Sequence, residues 1–346
     1  MKLSKILIAC SFFVVYSSLV SAQKNKTDSV DVSTIPVEEM TFDDRTNYLF
    51  EAVEAKDQNQ VERLSWSLAY YKHDESGETA LTKAIIQGDT ELIRILSEKA
   101  VINFKNKAGE TPLTLAIKSN NKNIIELVAK RAKAALKNDL DEAPLWLATQ
   151  KGDLFVIQML IDNGARLDVQ SQGRTPVSVA IEQGQMRALA LLLKNGANPS
   201  ILDQDGVLPL SKAIAAKDLS MAKMLLKKSK TPAADVNWKN AIGEPVIQAA
   251  IRTENQAMVK LLLDYGAHTN AQNYFDNASL HVAAELGDVQ LVRLLLENGA
   301  DPLAENMMGE TPADLAKEHQ HQNIIDHLTS IQETTKGIID LAGFKE

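Results

Sequence analysis

The chain has 346 residues, 37 of them Lys or Arg against 45 Asp or Glu, for a net charge of −8. That balance repels a phosphate backbone, so no nucleic-acid partner is expected. Cys10 is the only cysteine, which excludes a disulfide framework.

The chain begins with a segment that reads as a targeting signal. Lys2 and Lys5 precede a mostly apolar run, and Val20-Ser21-Ala22 supplies the small residues that suit cleavage between Ala22 and Gln23. The run is too short, and is followed by too polar a chain, for a membrane helix. No stable membrane insertion is expected after cleavage, and the expected location is periplasmic or secreted. Two alternatives stand beside this: an uncleaved anchor, and a lipoprotein-type box at Leu7-Ile8-Ala9-Cys10, which only a few apolar residues precede. Cleavage removes the one thiol, which suits an oxidising bacterial periplasm better than a disulfide-stapled secreted fold. Residues 23–44 are polar, lack helical periodicity and contain Pro36, and read as a flexible linker.

From there the chain repeats. Gly109-Glu110-Thr111-Pro112-Leu113 returns as Asp141-Glu142-Ala143-Pro144-Leu145, Gly173-Arg174-Thr175-Pro176-Val177 and Gly309-Glu310-Thr311-Pro312-Ala313. Weaker copies begin at Gly77, Gly206, Gly243 and Asp276. The positions equivalent to Thr111 are 79, 111, 143, 175, 208, 245, 278 and 311, so the spacing is 32 or 33 with one interval of 37. A fixed period of this size means a solenoid. Within a unit, Thr175 caps a helix start and Pro176 fills its first position. Leu113, Leu145 or Val177 faces the core, and Ala116, Ala148, Ala180 or Ala283 lets helices approach closely. A break at Gly88, Gly152, Gly184 or Gly287 precedes a second helix with apolar residues at helical spacing, such as Val156, Met159 and Leu160. Pairs such as Asn163-Gly164 and Asn298-Gly299 stop it. The units lie near 45–74, 75–106, 107–138, 139–170, 171–203, 204–239, 240–273, 274–306 and 307–332, with a tail at 333–346. The first, Asn47-Tyr48-Leu49-Phe50-Glu51-Ala52, keeps the register and reads as a cap. The last has its second helix near 323–331. The interval of 37 places an insertion near 227–235, as a longer helix end or loop.

This pattern resembles the ankyrin repeat over residues 45–332. Its fullest copy is Ala278-Ser279-Leu280-His281-Val282-Ala283-Ala284, followed by Gly287-Asp288 and Leu294-Leu295-Leu296-Glu297-Asn298-Gly299-Ala300. The resemblance implies an all-α solenoid of eight to nine helix-turn-helix units joined by β-hairpin-like loops. It also implies a concave surface of first helices and loop tips that binds other proteins. Only His281 fills the family's usual histidine position. Thr82, Thr114, Trp146, Ser178, Ser211, Gln248 and Asp314 stand elsewhere, which puts that histidine's inter-repeat hydrogen bonds in question. For Trp146, packing among smaller neighbours competes with partial exposure on the groove.

No nucleophile elbow, phosphate loop or dinucleotide fingerprint occurs. The chain is therefore expected not to be an enzyme and to need no cofactor. His319, His321 and His327 are the only cluster with metal-ligand chemistry. They lack a clear fourth ligand, and solvated or structural histidines are the expected reading. A metal-dependent enzyme built on them is the alternative of a different class. The basic run Lys227-Lys228-Ser229-Lys230 reads as a solvated helix end.

The tip residues carry the binding expectation. Glu75-Ser76, Lys107-Ala108, Asp139-Leu140, Ser171-Gln172 and Gln204-Asp205 give way to Ala241-Ile242, Tyr274-Phe275 and Met307-Met308. Trp238 stands just upstream of its tip, and Leu286 near the end of the first helix of its unit. Trp238, Ile242, Tyr274, Phe275, Leu286, Met307 and Met308 are thus the candidate partner-binding residues. Packing of the second tip residue on the neighbouring hairpin is the competing explanation. The expected protein is a monomeric, non-catalytic scaffold of the cell envelope or exported space. An exported effector bound to a host protein is the alternative.

Overall fold

A computed structural model describes residues 35–65, 74–99 and 102–341, and in these the chain is all helix, turn and loop, without a strand. The expected periodicity becomes pairs of antiparallel helices. Pro112–Lys118 pairs with Lys122–Ala129, Pro144–Lys151 with Leu154–Asp162, Pro176–Glu182 with Met186–Lys194, and Pro209–Ala215 with Leu219–Lys228. Val246–Arg252 pairs with Gln256–Asp264, and Ser279–Leu286 with Val289–Glu297.

Local chemistry sets these limits. Thr79, Thr111, Thr175 and Thr311 each accept a backbone N–H at a first helix. Asp57, Asn121, Asp153, Asp218, Asn255 and Asp288 do the same at the second helices. Each such cap satisfies a donor that the helix itself leaves unpaired. Proline opens the helices at Pro112, Pro144, Pro176, Pro209 and Pro312, where no N–H is needed.

Helices of seven to ten residues are too short to persist alone, so packing holds them. Ala84, Ala116, Ala148, Ala180, Ala213, Ala250, Ala283 and Ala316 recur once per unit and are fully buried, which lets first helices stack closely. One apolar core runs without interruption from Met40 to Leu328. From Pro112–Lys118 onward, first helices pack more closely on each other than second helices do. The stack therefore curves, with the first helices on the concave side.

Both ends differ from expectation. The linker expected to reach residue 44 is ordered from Ile35: Met40 is buried, the Arg63 guanidinium donates to the Ile35 carbonyl at 2.9 Å, and Phe42–Glu54 is already helix. Thr41 accepts the Asp44 amide at 3.1 Å and donates to its carboxylate at 2.5 Å, so this cap starts the helix six residues before the repeat register does. At the other end the final helix runs Gln322–Leu341, so the unit does not stop at residue 332 and the expected tail is largely helical. The expected signal cleavage at Ala22 and Gln23 lies outside the described residues.

The insertion folds as a separate short helix, Pro232–Val236. Asp235 accepts from Ser200 at 2.8 Å, and Asn237 donates to the Gly266 carbonyl at 2.9 Å while accepting the His268 amide at 2.8 Å. The extra residues are thereby tied to units on both sides, and the stacking register survives.

Candidate binding surface

Each of the three C-terminal loop tips is built around one asparagine side chain. Asn240 Oδ1 accepts the amides of Ile242 and Glu244 at 3.1 and 2.9 Å. Asn273 serves Phe275 and Asn277 at 2.9 and 3.2 Å, and Asn306 serves Met308 and Glu310 at 2.9 and 3.0 Å. This closes the loop beneath the tip and leaves the two tip residues outside it. The Met307 amide also donates to the Phe275 carbonyl at 3.1 Å, joining consecutive tips.

Tip side chains in the C-terminal half are strongly exposed: Ile242, Tyr274, Phe275, Met307 and Met308 keep between 67% and 81% of their surface in solvent. Packing of the second tip residues on their neighbours is therefore not what the structure has. Tyr274 makes one local contact, since its ring lies over Gly243, where a Cβ would meet ring carbons at 2.7 Å. Leu286 is partly exposed at the end of its first helix. Trp238 is placed differently from these tips. It is half-buried against the core, and its carbonyl accepts the Val246 amide at 3.0 Å, so hairpin pairing holds it within the stack. Leu140, visible in the sequence as a tip residue of the otherwise polar half, is also exposed.

The concave side of the N-terminal end differs in chemistry. A recess of about 800 Å3 is lined by Asp43, Asp44, Glu51, Glu54, Asp74 and Glu75, and Lys83 is the one cation among its described lining residues. Lys83 reaches Asp74 at 3.0 Å and Glu54 at 3.4 Å. Burial pulls the Asp74 carboxyl upward, but hydrogen bonds from Ser76, the Glu78 amide and Lys83 outweigh it and hold the group below the usual carboxylate range. Further along, Lys118 bridges Glu110 and Glu142 at 2.5 and 2.6 Å, and Lys212 bridges Asp203, at 2.5 Å, and Glu182.

The remaining candidates are structural in their contacts. His281 Nδ1 accepts the Ala278 amide at 3.1 Å and its Nε2–H donates to the Glu310 carbonyl of the next unit at 3.0 Å. Gln248 replaces that bridge one unit earlier, donating to the Ala271 and Asn277 carbonyls at 2.9 and 2.6 Å. Trp146 is buried and its indole N–H has no hydrogen-bond partner, so it packs and does not line the groove. His319 Nδ1–H donates to the Leu315 carbonyl at 3.0 Å, and His321 Nε2–H donates to the Glu285 carbonyl at 3.0 Å. Among the described residues no group of three or more His, Cys, Asp or Glu is placed to hold a metal ion. None of the described helices is long and apolar enough to cross a membrane.

A family model described as ankyrin repeats, in three copies, matches residues 49–138, 127–203, 180–273 and 210–306, and these overlapping stretches cover most of the chain. No curated protein matches it.

Proposed function

Because the chain belongs to the ankyrin-repeat family, we propose that it is a non-catalytic, monomeric scaffold that holds one segment of a partner protein along its concave side and loop tips. The observation that carries this is the run of five apolar side chains presented to solvent on three consecutive tips. Contiguous exposed apolar surface marks an interaction site, and aromatic residues dominate the energetics of such sites. Consecutive units repeat at roughly 10 Å, the diameter of a helix, so the three tips extend over about 20 Å. At the other end the carboxylate-lined recess favours a cationic stretch of the same partner, steering its approach and fixing its direction. Nucleic acid is disfavoured by the same carboxylates.

The location belongs to this proposal as well. The basic start, apolar run and small residues before Gln23 support an exported or envelope protein whose signal is removed.

Tyr274→Ala combined with Met307→Ala tests the binding surface. Loss of a hot-spot side chain costs about 2 kcal/mol or more, so capture of the native partner by the tagged chain should weaken at least about thirtyfold. Thermal stability should stay within about 1 kcal/mol, because both side chains are mostly in solvent. Undiminished capture refutes the surface. A large loss of stability would assign these residues to packing instead.

A further inference from the structure

The convex side of the middle units carries a second surface of opposite character. Helices Met186–Lys194 and Leu219–Lys228 lie side by side and contain Arg187, Lys194, Lys223, Lys227 and Lys228 but no Asp or Glu. Within the described residues none of these five cations is engaged by a carboxylate, whereas Arg94, Lys130 and Lys260 on other second helices are paired on their own helix. In a chain of net charge −8, such a carboxylate-free cluster runs against the overall composition. Like charges on adjacent helices repel, and an anionic partner relieves that repulsion.

Beside these cations lies an apolar groove. Arg187, Ala190, Leu191 and Lys194 recur at helical spacing and share one face. Together with Leu154 and Phe155 of the preceding unit they line a shallow, open depression of about 480 Å3. Phe155 keeps 50% of its surface exposed on a helix that buries Val156, Ile157 and Leu160. The Lys122 ammonium, 3.9 Å from the Asp153 carboxylate, also sits 5.5 Å from the Phe155 ring centroid at the groove's edge. Arg187 and Lys194 are two turns apart, about 10 Å, and flank the apolar floor.

We propose that this groove is a second docking site, for an acidic segment of another protein that places one bulky apolar side chain on Phe155 and Leu191 between carboxylates held by Arg187 and Lys194. The site is independent of the loop tips and makes the solenoid a two-sided connector, with one partner on each face. A shallow apolar floor flanked by cations fits a peptide better than a lipid bilayer, since a convex row of helices touches a plane only along its crest.

The test uses the full chain and a fluorescein-labelled peptide of sequence EEDFLDEE, read by fluorescence anisotropy. Saturable binding is expected, weakening as NaCl rises from about 0.05 to about 0.3 M, which shortens the Debye length by more than half. R187E combined with K194E should lower affinity at least about tenfold, as reversal of interface charges does. F155S should lower it several-fold, and Tyr274→Ala with Met307→Ala should leave it unchanged. K223E with K227E, outside the groove, supplies a second charge test should the first pair perturb folding. No binding of EEDFLDEE, equal binding of the lysine-substituted peptide KKKFLKKK, or affinity indifferent to both charge reversals overturns the proposal. So does cosedimentation with phosphatidylglycerol vesicles that R187E/K194E abolishes while the acidic peptide fails to bind, which would assign the surface to a membrane.

Discussion

Replacing Lys212 with Met isolates the electrostatics of one inter-unit link. The Lys212 ammonium lies 2.5 Å from Asp203 and also bonds Glu182, and the Asp203 side chain is almost wholly buried. Stripping a buried carboxylate of its only cation costs about 3–5 kcal/mol in the fully enclosed case. Here Asp203 keeps two acceptor roles, toward the amides of Asp205 at 3.0 Å and Val207 at 2.8 Å, and Glu182 can turn to solvent. The expected cost at pH 7 is therefore nearer about 2–3 kcal/mol. In an array of this size each kcal/mol moves the midpoint by about 2 °C when the units melt together, so scanning fluorimetry should show a drop of roughly 5 °C. The pH dependence fixes the cause. Burial raises the Asp203 pKa, but Lys212 and the Val207 amide outweigh it and the carboxyl ends below its ordinary value. A depressed carboxylate contributes stability above its unfolded pKa, and that contribution is lost as pH falls through the folded one. The gap between wild type and Lys212→Met should hence be widest at neutral pH and narrow below about pH 4. Adding Asp203→Asn, which keeps the two amide contacts and removes the charge, should restore at least half of the loss. A midpoint unchanged within about 1 °C, or a deficit equal at pH 7 and pH 3, would refute the electrostatic account.

His281→Ala removes an amide acceptor and an inter-unit donor in the buried core, and should cost about 2–3 kcal/mol in urea melts, whereas His281→Gln, which reproduces the bridge that Gln248 makes, should cost less than half of that. Burial pushes the His281 pKa down against the pull of the Glu310 carbonyl, so its contribution is present above the unfolded pKa and lost as pH falls below it. The Gln variant should accordingly show a shallower loss of stability between about pH 7 and pH 5 than wild type. Gly243→Ala should weaken partner capture, because its Cβ would lie 2.7 Å from the Tyr274 ring and force the aromatic away. Gly206→Ala shares a positive φ, 71° against 67°, but meets nothing within 4 Å, and should cost similar stability with no effect on capture. Equal capture by the two alanine variants would refute the placement of Tyr274.

The units were legible because most copies solve the same problem with the same residues: a capping Thr or a Pro, a small Ala for close stacking, and an Asp or Asn opening the second helix. The exposed tips were legible for the same reason, since their register comes from the period. The half-buried setting of Trp238 was not, because it lies beside the insertion, where the spacing departs from the period. Thr41 was missed as a helix start because its capping partner, Asp44, sits in a polar stretch where no apolar periodicity marks the helix. Phe155 offered no signal either, since an aromatic among apolar neighbours at helical spacing reads as core until the curvature opens the gap beside it. Gln248 could have been found as the stand-in for the family histidine, because it is the one other side chain at that position long enough to reach the next unit while carrying an amide N–H.

The asparagines beneath the tips have a bearing on binding entropy. With Asn240, Asn273 and Asn306 fastening their loops from inside, the backbone that carries the exposed apolar groups is already fixed before any partner arrives. Docking of the proposed partner would then restrict rotamers alone, at about 0.5–1.5 kcal/mol per side chain. Tyr274 and Phe275 have two side-chain torsions each to freeze, and the longer Met307 and Met308 surrender more freedom but mould themselves to less regular shapes. In the proposed complex the aromatic rung, the middle one of the three, would thus suit tight, selective contact, and the methionine rung that follows it would supply tolerance.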